Sequence, residues 1–176
     1  MPINSIETER LVLRSTKEED APFVLQLMNT PKWIQNIGDR KIYTEEAAQK
    51  HILEKMKPQF ERLGYGNYTI IRKKDGAKLG FAGLYDREGV EGVDIGFGLL
   101  PEYEGQGYAY EASKVLMEKA FKDFGLKVIK GIVNPDNLAS QRLLEKLGLR
   151  QVEKIKLGEE GSEVLLYKSS SIIPLS

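Results

Sequence analysis

Hydrophobic and polar positions change period several times along the chain, and each change marks an element. Leu11-Val12-Leu13-Arg14 reads as a short strand. Ala21, Val24, Leu25 and Met28 recur at i, i+3, i+4 and i+7, the spacing of one helical face. Asp20 is its N-cap, and Pro22 falls in a first turn where a missing N–H is tolerated. Thr44 followed by Glu45 and Glu46 opens a second helix, because a cap oxygen and two carboxylates suit the positive end of the helix dipole. It runs toward Leu63; Pro58 is expected to break or kink it, and Gly64-Tyr65-Gly66 to end it. Strand-like runs follow at 67–72, 79–85 and 93–100. They are joined by Lys73-Lys74-Asp75-Gly76, a hairpin turn signal, and by 86–92. Such short links favour an antiparallel meander. From Tyr108 the period is helical again: Tyr108, Ala112, Val115 and Leu116 share a face, and Gly125 ends the helix. Residues 128–133 read as a strand. Asn137 opens a short helix whose Leu143, Leu144 and Leu147 face inward and which Gly148 stops. Runs at 149–157 and 164–167 close the chain as strands.

The order β-α-α-β-β-β-α-β-α-β-β predicts a mixed α/β (α+β) fold, a mostly antiparallel sheet flanked by helices. The helix between 93–100 and 128–133 makes those two strands parallel neighbours. A length of 176 residues suits one domain, expected over 1–168, with 169–176 as a tail leaving it.

Composition narrows the chemistry. Lys plus Arg and Asp plus Glu balance at 26 each, which argues against general binding to nucleic acid or an anionic membrane. With no cysteine there is no disulfide, zinc–thiolate site or cysteine nucleophile, and the lone His51 excludes a site needing two imidazoles. No metal is expected. The start lacks the basic and apolar regions of a secretory leader, and no run approaches the roughly 18 apolar residues of a membrane span. The expected location is the cytoplasm.

The informative stretch runs from Asp94 to Ala109, where a strand ends, a glycine-rich loop follows and a helix begins. Small residues at Gly105, Gly107 and Ala109 let a ligand approach the backbone, and the unpaired N–H groups of the helix start form an anion site. The chain has no Gly-Lys dipeptide and therefore no Walker A loop. Gly96-Phe97-Gly98-Leu99-Leu100-Pro101 begins like a dinucleotide fingerprint but lacks its final small residue. Taken alone, Gly105-x-Gly107 is also an ordinary turn between strand and helix.

The segment Glu104-Gly105-Gln106-Gly107-Tyr108-Ala109 resembles motif A of the Gcn5-related N-acetyltransferases (GNAT), Gln/Arg-x-x-Gly-x-Gly/Ala. It matches at Gly107 and Ala109 and departs at Glu104. Three longer blocks resemble the RimJ/RimL-like branch: Thr8-Glu9-Arg10-Leu11-Val12-Leu13-Arg14, Gly105 through Ala112, and Asn134-x-x-Asn137-x-x-Ser140 through Leu149. The resemblance extends over about residues 6–168. It implies a sheet splayed between its fourth and fifth strands with acetyl-CoA in the wedge. It further implies backbone contacts from Leu99 and Leu100 to pantetheine, one of those amides also meeting the thioester carbonyl. Pyrophosphate contacts would come from the amides of Gly105, Gln106, Gly107, Tyr108 and Ala109.

Asn137 is a strong N-cap, and the resemblance adds a contact to the pantetheine arm. Ser140 would hydrogen-bond the leaving thiolate, and Asp94 would take the amine proton directly or through a water. Each also has a plainer reading, as a small helix residue and as an inert strand carboxylate. The first two helices, their connection 29–43 and the final strands would form the acceptor pocket, with Trp33, Ile34 and Tyr43 as its lining or as ordinary packing. The implied activity is acetyl transfer to a primary amine, either a protein N-terminal α-amine or a small molecule such as a polyamine, by a monomer or homodimer. Without cysteine, direct attack in a ternary complex is the expected route. The alternative is a non-catalytic acyl-CoA-binding module, and Asp94 and Ser140 discriminate the two.

Overall fold

The computed structural model describes residues 2–87, 89–157 and 162–169. Eight strands make one sheet in the order β1-β2-β3-β4-β5-β6-β8-β7. They are β1 (Ser5–Glu7), β2 (Leu11–Ser15), β3 (Asn67–Arg72), β4 (Lys78–Tyr85), β5 (Asp94–Leu99), β6 (Lys130–Val133), β7 (Arg150–Leu157) and β8 (Ser162–Lys168). All neighbours are antiparallel except β5 and β6, which are parallel and joined by the long helix α5 (Tyr108–Lys122). The meander and the crossover are those the residue pattern predicts.

β5 and β6 pair at one register only, Asp94↔Lys130, and then diverge. This is the expected splay. The short strand β1 precedes the others, so the opening lies between the fifth and sixth strands of the full sheet. β1 escapes the pattern because only Ile6 of its residues is buried.

The two faces of the sheet carry separate cores. Ala82, Leu84 and Ile95 face α5, meeting Tyr108, Ala112 and Leu116 in a cluster that also takes in Leu144 of α6 (Leu138–Lys146). Phe81 and Leu100 join the second cluster, with Val24 and Leu27 of α1 (Ala21–Met28) and Ala48 of α3 (Glu45–His51). The alternation along β4 sorts these side chains between the faces.

Between α1 and α3 stands a further short helix, α2 (Pro31–Asn36), in what reads from periodicity as a connection. Six residues are too few to show a helical period. Its signal is local: Thr30 accepts from the Trp33 amide at 3.3 Å, with Pro31 at the first helical position. The α-helical pattern that starts after Thr44 is interrupted ahead of Pro58, as expected. The chain passes through a π-helical segment, Ile52–Met56, and Pro58 then falls in the first turn of α4 (Lys57–Leu63), where no N–H is required of it. Ser169, the first residue of the expected tail, is buried and exchanges hydrogen bonds with Ile129. Residues 170–176 lie outside the described residues.

Asp20 occupies the N-cap position of α1, but its side chain makes no cap hydrogen bond. Its carboxylate is fully buried and accepts from both Nη atoms of Arg14 at 2.9 and 3.0 Å, from Lys78 Nζ at 2.7 Å and from the Lys17 amide at 2.9 Å. Burial alone would raise its pKa; the Arg14 fork, the Lys17 amide and Lys78 outweigh burial and pull it from 3.8 to about 2. A folded pKa below the unfolded one stabilises the fold above the unfolded pKa, and that stability disappears as pH falls through the folded value. Thermal melts should therefore show about 2 kcal/mol lost between pH 4 and pH 2. Asp20→Asn should be destabilised by about 3 kcal/mol at pH 7, since it leaves Arg14 and Lys78 without their carboxylate, and should lack that acid-sensitive component. Equal pH profiles for the two proteins would contradict this role.

Candidate functional site

The wedge between β5 and β6 is built by strand parity. In an antiparallel ladder a residue's N–H and C=O point to the same side, and the side alternates along the strand. The Leu100 amide donates to the Leu79 carbonyl at 2.8 Å, whereas the Val93 carbonyl accepts from the Lys130 amide at 2.9 Å. Even-numbered residues of β5 are thus directed at β4, and Phe97 and Leu99 are directed at β6. Because β6 pairs only at Asp94, the main-chain groups of Phe97 and Leu99 face an opening with no strand across it among the described residues. This corrects the expectation for Leu100. Its N–H is taken by Leu79 and its carbonyl by the Tyr103 amide, so its backbone is not a free ligand. Phe97 takes its place, a residue that strand parity could have singled out once the partner of each edge was known.

After a 3-10 turn at Pro101–Tyr103, the chain reaches Gly105 and Gly107 with φ +75° and +82°, a left-handed backbone that glycine adopts without Cβ strain. Gly107 caps α5, and the first helical bond runs from the Glu111 amide to the Gly107 carbonyl. The amides of Tyr108, Ala109 and Tyr110 therefore lack acceptors within the helix. A Cβ at Gly105 would meet nothing within 4 Å, so the cradle is open. Gln106 accepts through its carbonyl from Arg10 Nη1 at 3.1 Å. Tyr108 is buried in the core, which leaves only its main chain for a ligand. The Glu104 carboxylate is paired with Lys32 Nζ at 2.5 Å.

Across the wedge, Asn137 caps α6 by accepting from the Ser140 amide at 3.2 Å, so the cap role holds and Ser140 stands in the first turn. Asn134 donates through Nδ2 to the carbonyls of Gln35 and Asn36 at 3.2 and 3.1 Å. Helix α2 is consequently tied to the segment after β6 by Asn134 and to the segment after β5 by Lys32–Glu104.

Asp94, Gly96 and Gly98 share the β5 face that looks toward α1 and α2. Trp33 lies on Gly98: a Cβ there would stand 2.9 Å from the indole Cζ3. The indole packs edge-on against Phe81 at 6.0 Å, and its Nε1 is buried with no hydrogen-bond partner among the described residues. Tyr85 covers Gly96 in the same way, and its hydroxyl hydrogen-bonds Asn67. Tyr43 is not brought to this face. It is 63% exposed and donates to Asp39 at 2.8 Å, while the neighbouring Ile42 turns into the core. Ile34 is also exposed.

Asp94 is 1% exposed at the closed end of the wedge, where Arg87 donates to both of its oxygens, from Nε at 2.8 Å and Nη2 at 2.7 Å. Burial raises its pKa despite Arg87. Arg40 loses part of its solvation and feels the charge of Arg87, which lowers its pKa. The half-buried His51 is lowered by burial, then by Arg40 and Lys55. Arg87 is thus neutralised by Asp94, with Arg40 near enough to feel its charge.

The sequence pattern of the acetyltransferase (GNAT) domain family matches residues 10–150. "Uncharacterized N-acetyltransferase YnaD" of Bacillus subtilis is 26% identical over 146 residues, covering 83% of this chain and 82% of that protein. The spermidine N(1)-acetyltransferase of Escherichia coli is 26% identical over 141 residues, covering 77% and 70%. Among solved structures, a ribosomal L7/L12 α-N-protein acetyltransferase in complex with coenzyme A has the same fold, with a TM-score of 0.79 at 21% identity, covering 94% of this chain and 97% of that one.

Trp33 is the lone tryptophan, so its emission reports on the wedge. Gly98→Val, which puts a branched side chain into the indole, should shift that emission to longer wavelength. An unchanged spectrum would mean that Trp33 does not rest on Gly98.

Proposed function

The chain belongs to the GNAT acetyltransferase family, and we propose that it transfers the acetyl group of acetyl-CoA directly to a primary amine. The observation that carries this reading is the open edge of β5 ending at a glycine cradle and a helix N-terminus. The fit is good: the partly buried Phe97 and Leu99 offer the main-chain groups, unpaired by any strand among the described residues, that an extended pantetheine arm needs. The orphan Nε1 of Trp33 adds a donor beside the same strand.

When bound, acetyl-CoA supplies an acetyl thioester. The main chains of Phe97 and Leu99 hold the arm as a neighbouring strand would, and one of their N–H groups donates to the thioester oxygen. The amides of residues 105–109 hold the pyrophosphate. Asn137 caps with Oδ1 and keeps Nδ2 for the arm, and the Ser140 hydroxyl donates to the departing sulfur. Asp94 accepts the amine proton through a chain of waters. Its oxygens are engaged by Arg87, and it lies three residues, about 10 Å, from Phe97 along the strand. The acceptor is a protein N-terminal α-amine or a small-molecule amine. We assign the reaction to the cytoplasm, which the cysteine-free composition suits.

Titration with acetyl-CoA, followed through Trp33 emission and the melting temperature, should give saturable binding with a raised Tm; no change in either would sink the assignment. Asp94→Asn should lower turnover, followed as thiol release, by about 100-fold with little change in cofactor Kd. Unchanged turnover would remove Asp94 from the mechanism. Binding without thiol release across peptides, monoamines and polyamines would favour the acyl-CoA-binding alternative. In Gly107→Trp the cradle is filled, and the cofactor should no longer bind; retained affinity would move the pyrophosphate elsewhere.

A further inference from the structure

Motif A asks for Gln or Arg at its first position, and Glu104 stands there, occupied by Lys32. The loop 104–109 has no cation of its own. One is delivered from the hairpin between β1 and β2. Arg10 reaches the loop across 96 residues of sequence and is held on several sides. Its Nε donates to Glu111 Oε1 at 2.6 Å, its Nη1 donates to the Gln106 carbonyl at 3.1 Å, and its guanidinium lies 4.3 Å from the centre of the Tyr108 ring.

Glu111 is fixed in turn by the Thr8 hydroxyl at 2.5 Å and the Arg10 amide at 3.0 Å. Burial would raise the Glu111 pKa, but these donors lower it below the ordinary value, so it stays ionised and aims the guanidinium. The remaining nitrogen, Nη2, has no acceptor among the described residues. It stands 3.4 Å from the point where a Cβ of Gly107 would be, beside the helix N-terminus that the acetyl-CoA reading gives to pyrophosphate.

We propose that Arg10 is a pyrophosphate ligand, its Nη2 supplying from the N-terminal hairpin the side-chain donor that Glu104 does not. Thr8 and Glu111 are positioning residues that hold it. The proposal rests on the acetyl-CoA reading above. It also accounts for two separate sequence blocks at once: Thr8 and Arg10 belong to the first, and Glu111 to the block that continues the glycine loop. A guanidinium held rigidly on one edge donates to a diphosphate with its free edge, a charge-assisted bond that a neutral isostere cannot form.

The test compares wild type, Arg10→Met and Arg10→Lys, with acetyl-CoA and with S-acetylpantetheine, which lacks the pyrophosphate. For acetyl-CoA, Arg10→Met should raise Kd about tenfold and weaken the dependence of Kd on KCl. Arg10→Lys should recover the salt dependence but only part of the affinity, because an ammonium keeps the charge and lacks the second edge by which Glu111 and the Gln106 carbonyl aim the guanidinium. With S-acetylpantetheine all three proteins should have the same Kd. Wild-type affinity for acetyl-CoA in Arg10→Met would overturn the proposal. So would an equal loss with both donors, or an unchanged salt dependence, because each marks a brace of the fold instead of a phosphate ligand. Failure of the wild type to bind acetyl-CoA would instead overturn the parent reading.

Discussion

A parallel strand pair that forms at one register and no further governs the functional half of this molecule. At its closed end Lys130 is bonded from its amide to Val93 and from its side chain to the Glu91 carbonyl, and Arg87 clamps Asp94 beside it. Beyond that point each strand is held by its outer neighbour, β5 by β4 up to Gly80↔Leu99 and β6 by β8 up to Val133↔Leu165. Each strand is thus paired along its outer edge, and beyond Asp94 the inner edge of β5 has no partner strand among the described residues. The main-chain groups of Phe97 and Leu99 are left for something that is not part of the sheet.

The elements around the opening are arranged by that constraint. Helix α2 lies between the segments that leave the two diverging strands, tied to one through Lys32–Glu104 and to the other through Asn134. It brings Trp33 onto the bare backbone of Gly98, where any side chain would exclude the indole. On the opposite face α5 starts where β5 has ended, so its free amides and the unpaired edge of the strand lie in sequence along one path, the one the proposed function gives to acetyl-CoA. The buried carboxylate of Asp20, linking Arg14 of β2 to Lys78 of β4 near the start of α1, holds the meander beneath these parts.

Much of the fold was legible as periodicity. The meander, the crossover helix and the parallel pair follow from alternating and helical spacings with short or long links between them. What periodicity missed was short: β1 and α2 have too few residues to show a period. The glycine loop was legible because left-handed turns at Gly105 and Gly107 select a residue type. The corrections came from strand pairing and from packing. Leu100 and Leu99 look alike in sequence, and only the Leu79 carbonyl distinguishes them. Tyr43 and Ile42 are both apolar enough to line a pocket, and packing turned Ile42 inward and Tyr43 outward. Asp20 has the composition of a cap, yet its carboxylate is buried between Arg14, six residues before it, and Lys78, 58 residues after it.

By itself, then, the sequence determined the kinds and order of elements, the loop that can approach an anion, and the exclusion of cysteine chemistry, because these depend on local conformational preference and on which atoms exist. The tertiary structure decided which backbone groups remain unpaired, which carboxylates are neutralised, and that Arg10 meets a loop 96 residues away. Those outcomes depend on strand register and on contacts between segments far apart in the chain, which no local pattern encodes.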